Sequence, residues 1–171
     1  RLKSELEAGD AASRMLVGRS SLSDDLRNQA RAAARAGTEV LIMGEPGSGT
    51  PKMAEVIHLL SDAAARPFVK RAASSLDAAG LTEAFTEAAN GMLYLDEITG
   101  LNAALQLSLL DRLEEGGAAR VLAGTTRNLS EAMSTGQFNT ELFYRLDLMR
   151  VRIPALRERP EDIPVLFQHY V

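Results

Sequence analysis

Apolar positions along the chain switch period again and again, and each switch marks an element. Leu26, Ala30, Ala33 and Ala34 recur at helical spacing. Ser21 or Ser23 suits the cap ahead of them, and Gly37 closes the pattern. Val40-Leu41-Ile42-Met43 is a short unbroken apolar run ending at Gly44, which predicts a buried strand feeding a glycine-rich turn. Helical spacing returns over Met53 to Leu60, with Val56, Ile57 and Leu60 on one side, and Pro67-Phe68-Val69 reads as a second strand. Leu81 to Ala89 is helical, and Gly91-Met92-Leu93-Tyr94-Leu95 is a third strand running into Asp96-Glu97. Leu105, Leu107, Leu109, Leu110 and Leu113 belong to a helix whose apolar face reads as core. A fourth strand follows at Arg120 to Ala123, then helices at Asn128 to Met133 and Glu141 to Leu146, and a fifth strand at Leu148 to Ile153. Strands alternating with helices, nearly free of period-two patterning, predict a five-stranded parallel sheet covered on both faces. The expected class is three-layer α/β.

Composition narrows the function more than the fold. The 171 residues carry a formal charge of −4 and no cysteine. Disulfides, thiolate zinc sites and cysteine nucleophiles are therefore excluded, which suits a reducing, cytoplasmic setting. The acidic balance argues against this stretch being the main nucleic-acid surface. No apolar run reaches the roughly 18–20 residues of a membrane helix. The chain opens Arg1-Leu2-Lys3 without a methionine and reads as part of something longer, its polar first residues forming a connector. Only Lys3, Lys52 and Lys70 are lysines.

Chemistry concentrates in two places. Gly44-Glu45-Pro46-Gly47-Ser48-Gly49-Thr50-Pro51-Lys52 joins the first strand to a helix, and its glycines let backbone N–H groups gather around a phosphate. A P-loop needs Gly-x4-Gly-Lys-Ser/Thr. Gly44 and Gly49 keep that frame, but Thr50 stands at the lysine position and Pro51 at the hydroxyl position that serves magnesium. Lys52, two residues along the helix, is expected to leave from the far side. One lost charge-assisted contact costs about 1.5–3 kcal/mol, or roughly ten- to a hundredfold in affinity. A glycine-rich turn that merely starts a helix remains the alternative. The second place is the strand-end pair: Asp96 is suited to orienting magnesium and its waters, Glu97 to polarising an attacking water. His58 and His169 read as structural or exposed. Arg127 and Arg145 suit either phosphate or ordinary salt bridges.

From Leu16 onwards the chain resembles the AAA+ domain of sigma-54-dependent transcription activators of the NtrC type. The resemblance is carried by Leu16 to Ser20, Val40 to Gly49, Ala54 to His58, Pro67 to Val69 and Gly91 to Ile98, then by Ala123 to Leu129, Phe138 to Leu146 and Ile153 to Pro164. It implies a connector at 1–15, a P-loop NTPase core at 16–153 and the beginning of a helical lid at 154–171. It implies ATP or ADP with magnesium, ring-like self-association, and receiver and helix-turn-helix domains elsewhere in the full protein. DNA would be bound only by such a separate domain, and no membrane is involved. Val17, Gly18 and the segment Gly44, Glu45, Pro46, Gly47, Ser48, Gly49, Thr50 and Pro51 fall at the family's nucleotide-binding positions. Asp96 and Glu97 match its Walker B pair, with Asp96 at the magnesium position. Thr126 stands for the sensor asparagine, Asn139 for a first arginine finger, and Arg145 matches the second.

The departures carry as much weight as the matches. The family inserts a long polymerase-contacting loop between the second strand and Walker B; here Arg71 to Asn90 has room for one short helix. Glu83 to Ala88 resembles the tip of that loop only superficially, without its glycines. Gly116 to Ala119 leaves no room for the second pore loop, so contact with RNA polymerase is in doubt. Two functions follow: a regulatory module that self-associates and binds nucleotide weakly without hydrolysing it, or an active ATPase remodelling sigma-54 polymerase through a variant P-loop.

Overall fold

A computed structural model of the chain describes residues 21–116 and 119–154. The connector, Val17, Gly18, His169 and the lid segment lie outside them. The described elements are α1 (Ser21–Ala36), β1 (Val40–Met43), α2 (Thr50–Leu60), β2 (Phe68–Ala72), α3 (Ala78–Glu87), β3 (Met92–Asp96), α4 (Ala103–Glu115), β4 (Arg120–Thr125), α5 (Leu129–Ser134), α6 (Thr140–Leu146) and β5 (Met149–Arg152), with 3-10 turns at Ala73–Ser75 and Ile98–Gly100. The strands form one five-stranded sheet in the order β2-β3-β4-β1-β5, every pair parallel.

Successive side chains of a strand point to opposite faces, and here both faces are apolar. Val40 and Ile42 of β1, Met92 and Tyr94 of β3 and Leu122 of β4 pack with α1 and α2. Leu41, Leu93, Leu95, Val121 and Ala123 pack instead with residues of α3, α4, α5 and α6. That is the expected three-layer α/β architecture. Among the described residues, no helix is long and apolar enough to cross a membrane.

The helices begin where short polar side chains answer their free N–H groups. Asp77, Asn102, Asn128 and Asn139 each accept a hydrogen bond from the backbone three residues on. Asn139 is thus occupied as the cap of α6, and its own N–H donates to Gln106 Oε1 at 2.7 Å. At the other end of α1, the Arg120 guanidinium donates to the carbonyls of Ala33, Ala34 and Thr38, closing the helix from across the sheet.

Two boundaries shift for physical reasons. β2 extends past Val69 to Ala72, because at the sheet edge Lys70 and Arg71 extend it without leaving an apolar trace. α2 starts at Thr50 rather than Met53, since Gly49 in the left-handed region (φ 95°) turns the loop directly into helical backbone. Between β2 and β3 lie only a 3-10 turn and α3. Glu83 to Glu87 is helical, with Ala84, Phe85 and the C-cap Ala88 buried, so this segment is core rather than a projecting loop.

Candidate functional site

Parallel strands deliver their C-terminal ends to one edge. Met43 is level with Thr125, and Ala72 with Asp96. The connection after β1, the acidic pair after β3 and Thr126 after β4 therefore meet above three adjacent strands, where α/β folds take their ligands. A cavity of about 650 Å³ opens there, lined by Pro46 to Lys52 together with Asp96, Glu97 and Thr126. Its size falls in the range of small-molecule sites.

The loop wall is built of donors. The Gly44 N–H is tied to the Thr125 carbonyl at 3.2 Å, and the Ser48 N–H to the Glu45 carbonyl at 2.9 Å, which closes a turn. Gly47 (φ 81°) and Gly49 hold left-handed conformations that other residues resist. No side chain caps α2, so its first N–H groups face the cavity with the positive end of the helix dipole. The Ser48 hydroxyl is buried without a hydrogen-bond partner. A glycine-rich turn and a helix N-terminus lining one cavity fit a phosphate or another oxyanion.

The acidic wall is held differently. Glu97 is a non-glycine residue in the left-handed region (φ 51°), a conformation that costs about 1–3 kcal/mol and persists only where surroundings enforce it. Its Oε1 accepts the Thr126 N–H at 2.7 Å and also the Thr126 hydroxyl. Asp96 Oδ1 accepts the Tyr94 hydroxyl at 2.8 Å. Thr50, the first residue of α2, is only 3% exposed. Burial in this apolar layer, first of all, pushes the Tyr94 phenol well above its ordinary value, so it stays a neutral donor.

Thus Gly44 to Pro51, Asp96, Glu97 and Thr126 all gather at one edge. Lys52, exposed in the first turn of α2, contributes to the lining of the same cavity. Arg145 lies elsewhere: its guanidinium pairs with Glu39 at 3.1 Å, just before β1, and donates to the Leu113 carbonyl at 2.8 Å. Arg127 lines a separate cavity with Asn128 and Glu131. His58 is buried, bonded to the Arg66 carbonyl at 3.0 Å and stacked on Phe68, a structural place.

The expected magnesium is not matched by the donor set. Pro51 offers no hydroxyl, and one oxygen of each carboxylate, Asp96 Oδ1 and Glu97 Oε1, already accepts a hydroxyl. Among the described residues, no group of three or more His, Cys, Asp or Glu is arranged to hold a metal. Sequence reasoning missed Tyr94. The available signal was Gly124 inside a buried strand, since a glycine there marks a close approach. A Cβ at Gly124 would lie 2.0 Å from the Tyr94 hydroxyl.

Comparison with known proteins agrees with this geometry. Residues 17–156 match the sigma-54 interaction domain family. The chain is 35% identical over 196 residues to the Nif-specific regulatory protein of Azorhizobium caulinodans, covering 96% of this chain and 32% of that protein. It is 36% identical over 200 residues to the DNA-binding transcriptional activator HyfR of Escherichia coli K12, covering 99% of this chain and 29% of the relative. The chain therefore spans about a third of the length of these curated relatives. Among solved structures, NtrX from Brucella abortus in complex with ATP superposes with a TM-score of 0.81 at 30% identity, covering 90% of this chain and 41% of that one. The P-loop NTPase domain of an E. coli sigma-54 activator shares the fold, with a TM-score of 0.66 at 24% identity over 81% of this chain and 99% of its own. On its residues, its fold and these matches, the chain belongs to the sigma-54 interaction domain family.

Proposed function

We propose that this domain is a regulatory AAA+ module of a bacterial transcription regulator, one that takes up ATP or ADP weakly and does not hydrolyse it. The observation that carries the reading is the state of the acidic wall. Glu97, placed to polarise water, spends its carboxylate on Thr126, and no cation stands at position 50 to neutralise charge during phosphoryl transfer. The donor-lined cavity and the relative solved with ATP support the nucleotide itself. The alignments run to 196 and 200 residues, longer than this chain, so the relatives carry segments that it lacks. That supports missing polymerase-facing loops and the loss of sigma-54 remodelling. Self-association is supported by Tyr144 and Leu148, 67% and 52% exposed on either side of Arg145. Arg145 would then be the residue offered to a neighbouring subunit's phosphate, exchanging its bond to Glu39.

Titration calorimetry with ATP, coupled to phosphate release from concentrated protein, tests the reading. Weak binding without turnover is expected. Thr50→Lys should tighten binding roughly ten- to a hundredfold by restoring one charge-assisted contact. Steady phosphate release by the wild type would instead establish an active ATPase with a variant P-loop. An unchanged affinity in Thr50→Lys would show that the loop does not cradle phosphate, with Pro51 the first cause to examine.

A further inference from the structure

Tyr94 carries a hydroxyl into the apolar layer that also holds Ile42, Met53 and Leu122. Its proton is spent on Asp96 Oδ1, at 2.8 Å, which ties the phenol to the end of β3. The sheet makes room for it. Gly124, level with Ile42 on the neighbouring strand, would place a Cβ 2.0 Å from the hydroxyl and 2.7 Å from the ring carbon that bears it. Only a residue without a side chain lets the phenol lie over β4 while its hydroxyl meets Asp96, two residues on along its own strand.

We propose that this chain makes the glycine-loop cavity a cation-independent phosphate site, with Tyr94 as the positioning residue that keeps Asp96 turned towards the protein. The inference rests on the reading of the cavity as a nucleotide site. A magnesium ion keeps a near-octahedral shell and is anchored by one or two protein oxygens besides the phosphates. Here Pro51 supplies none, and one of the two Asp96 oxygens is already held by the Tyr94 hydroxyl. The loop N–H groups and the end of α2 answer the phosphate charge directly. A phosphate chelated to magnesium brings less charge to these donors and gains no protein ligand in return.

The test is ADP binding by calorimetry in excess EDTA and in millimolar magnesium, for the wild type and for Tyr94→Phe. Wild-type affinity should agree between the two media within about twofold, while in Tyr94→Phe the released Asp96 should make binding roughly tenfold tighter with magnesium. A wild type that itself gains tenfold with magnesium overturns the proposal and leaves the nucleotide reading standing. So does a folded Tyr94→Phe protein as indifferent to magnesium as the wild type. Absence of binding in both media overturns the two together. The wild-type pair of titrations decides without the variant, should Tyr94→Phe fail to fold.

Discussion

At the scale of single residues, the site is defined by which partner each oxygen already has. Asp96 and Glu97 stand side by side at the end of β3, and Tyr94 and Thr126 each hold one of their oxygens. Tyr94 therefore leaves a signature in the pH dependence of stability. Its phenol is raised above the ordinary tyrosine value of about 10, chiefly by burial. The folded protein keeps a proton that the unfolded chain releases, so this contribution is complete below the unfolded value and shrinks as pH rises through it. Tyr94→Phe has no proton to lose. Between about pH 9 and about pH 11 the wild type should lose stability more steeply than the variant, by up to about 1.4 kcal/mol per pH unit. Urea unfolding of both proteins across that window checks it; parallel profiles would show that the phenol ionises equally in the folded and unfolded chains.

At the scale of elements, what could be read from the chain and what could not divide along burial. β1, β3 and β4 lie inside the sheet and read as apolar runs, because both their faces are covered. The edge strand β2 hides behind Lys70 and Arg71, and the edge strand β5 alternates Met149, Arg150, Val151 and Arg152. The glycine loop and Asp96-Glu97 were legible because their chemistry is local. The contacts Glu97–Thr126 and Tyr94–Asp96 depend on backbone turns and ring direction, which no spacing rule supplies. Arg120 belongs to the same hidden class. It starts β4 as expected, and its guanidinium also holds the Ala33 and Ala34 carbonyls of α1 and the Thr38 carbonyl just after it, while burial lowers its pKa without removing its charge. Arg120→Met should cost about 1.5–3 kcal/mol in urea unfolding, since it leaves those carbonyls without their charged donor. A smaller loss would mean that water replaces the guanidinium there.

At the scale of the whole molecule, the distribution of charge separates this domain from the nucleic-acid recognition that its relatives' names attach to longer proteins. A net charge of −4 gives no attractive field for a polyanion. Among the described residues, several basic side chains are moreover paired with carboxylates: Arg71 with Glu87, Arg145 with Glu39, Arg150 with Asp147 and Lys70 with Glu55. Non-specific DNA binding draws nearly all its affinity from phosphates neutralised by free Lys and Arg, with dissociation constants of about 10⁻⁶–10⁻⁴ M at physiological salt. This chain should therefore fail to retard a short duplex in a gel at micromolar protein and physiological salt. Lowering the salt should change little, because few counterions would be released. Retardation that strengthens steeply as salt falls would locate a DNA-binding face within these 171 residues and remove the reason for assigning that contact to a separate domain.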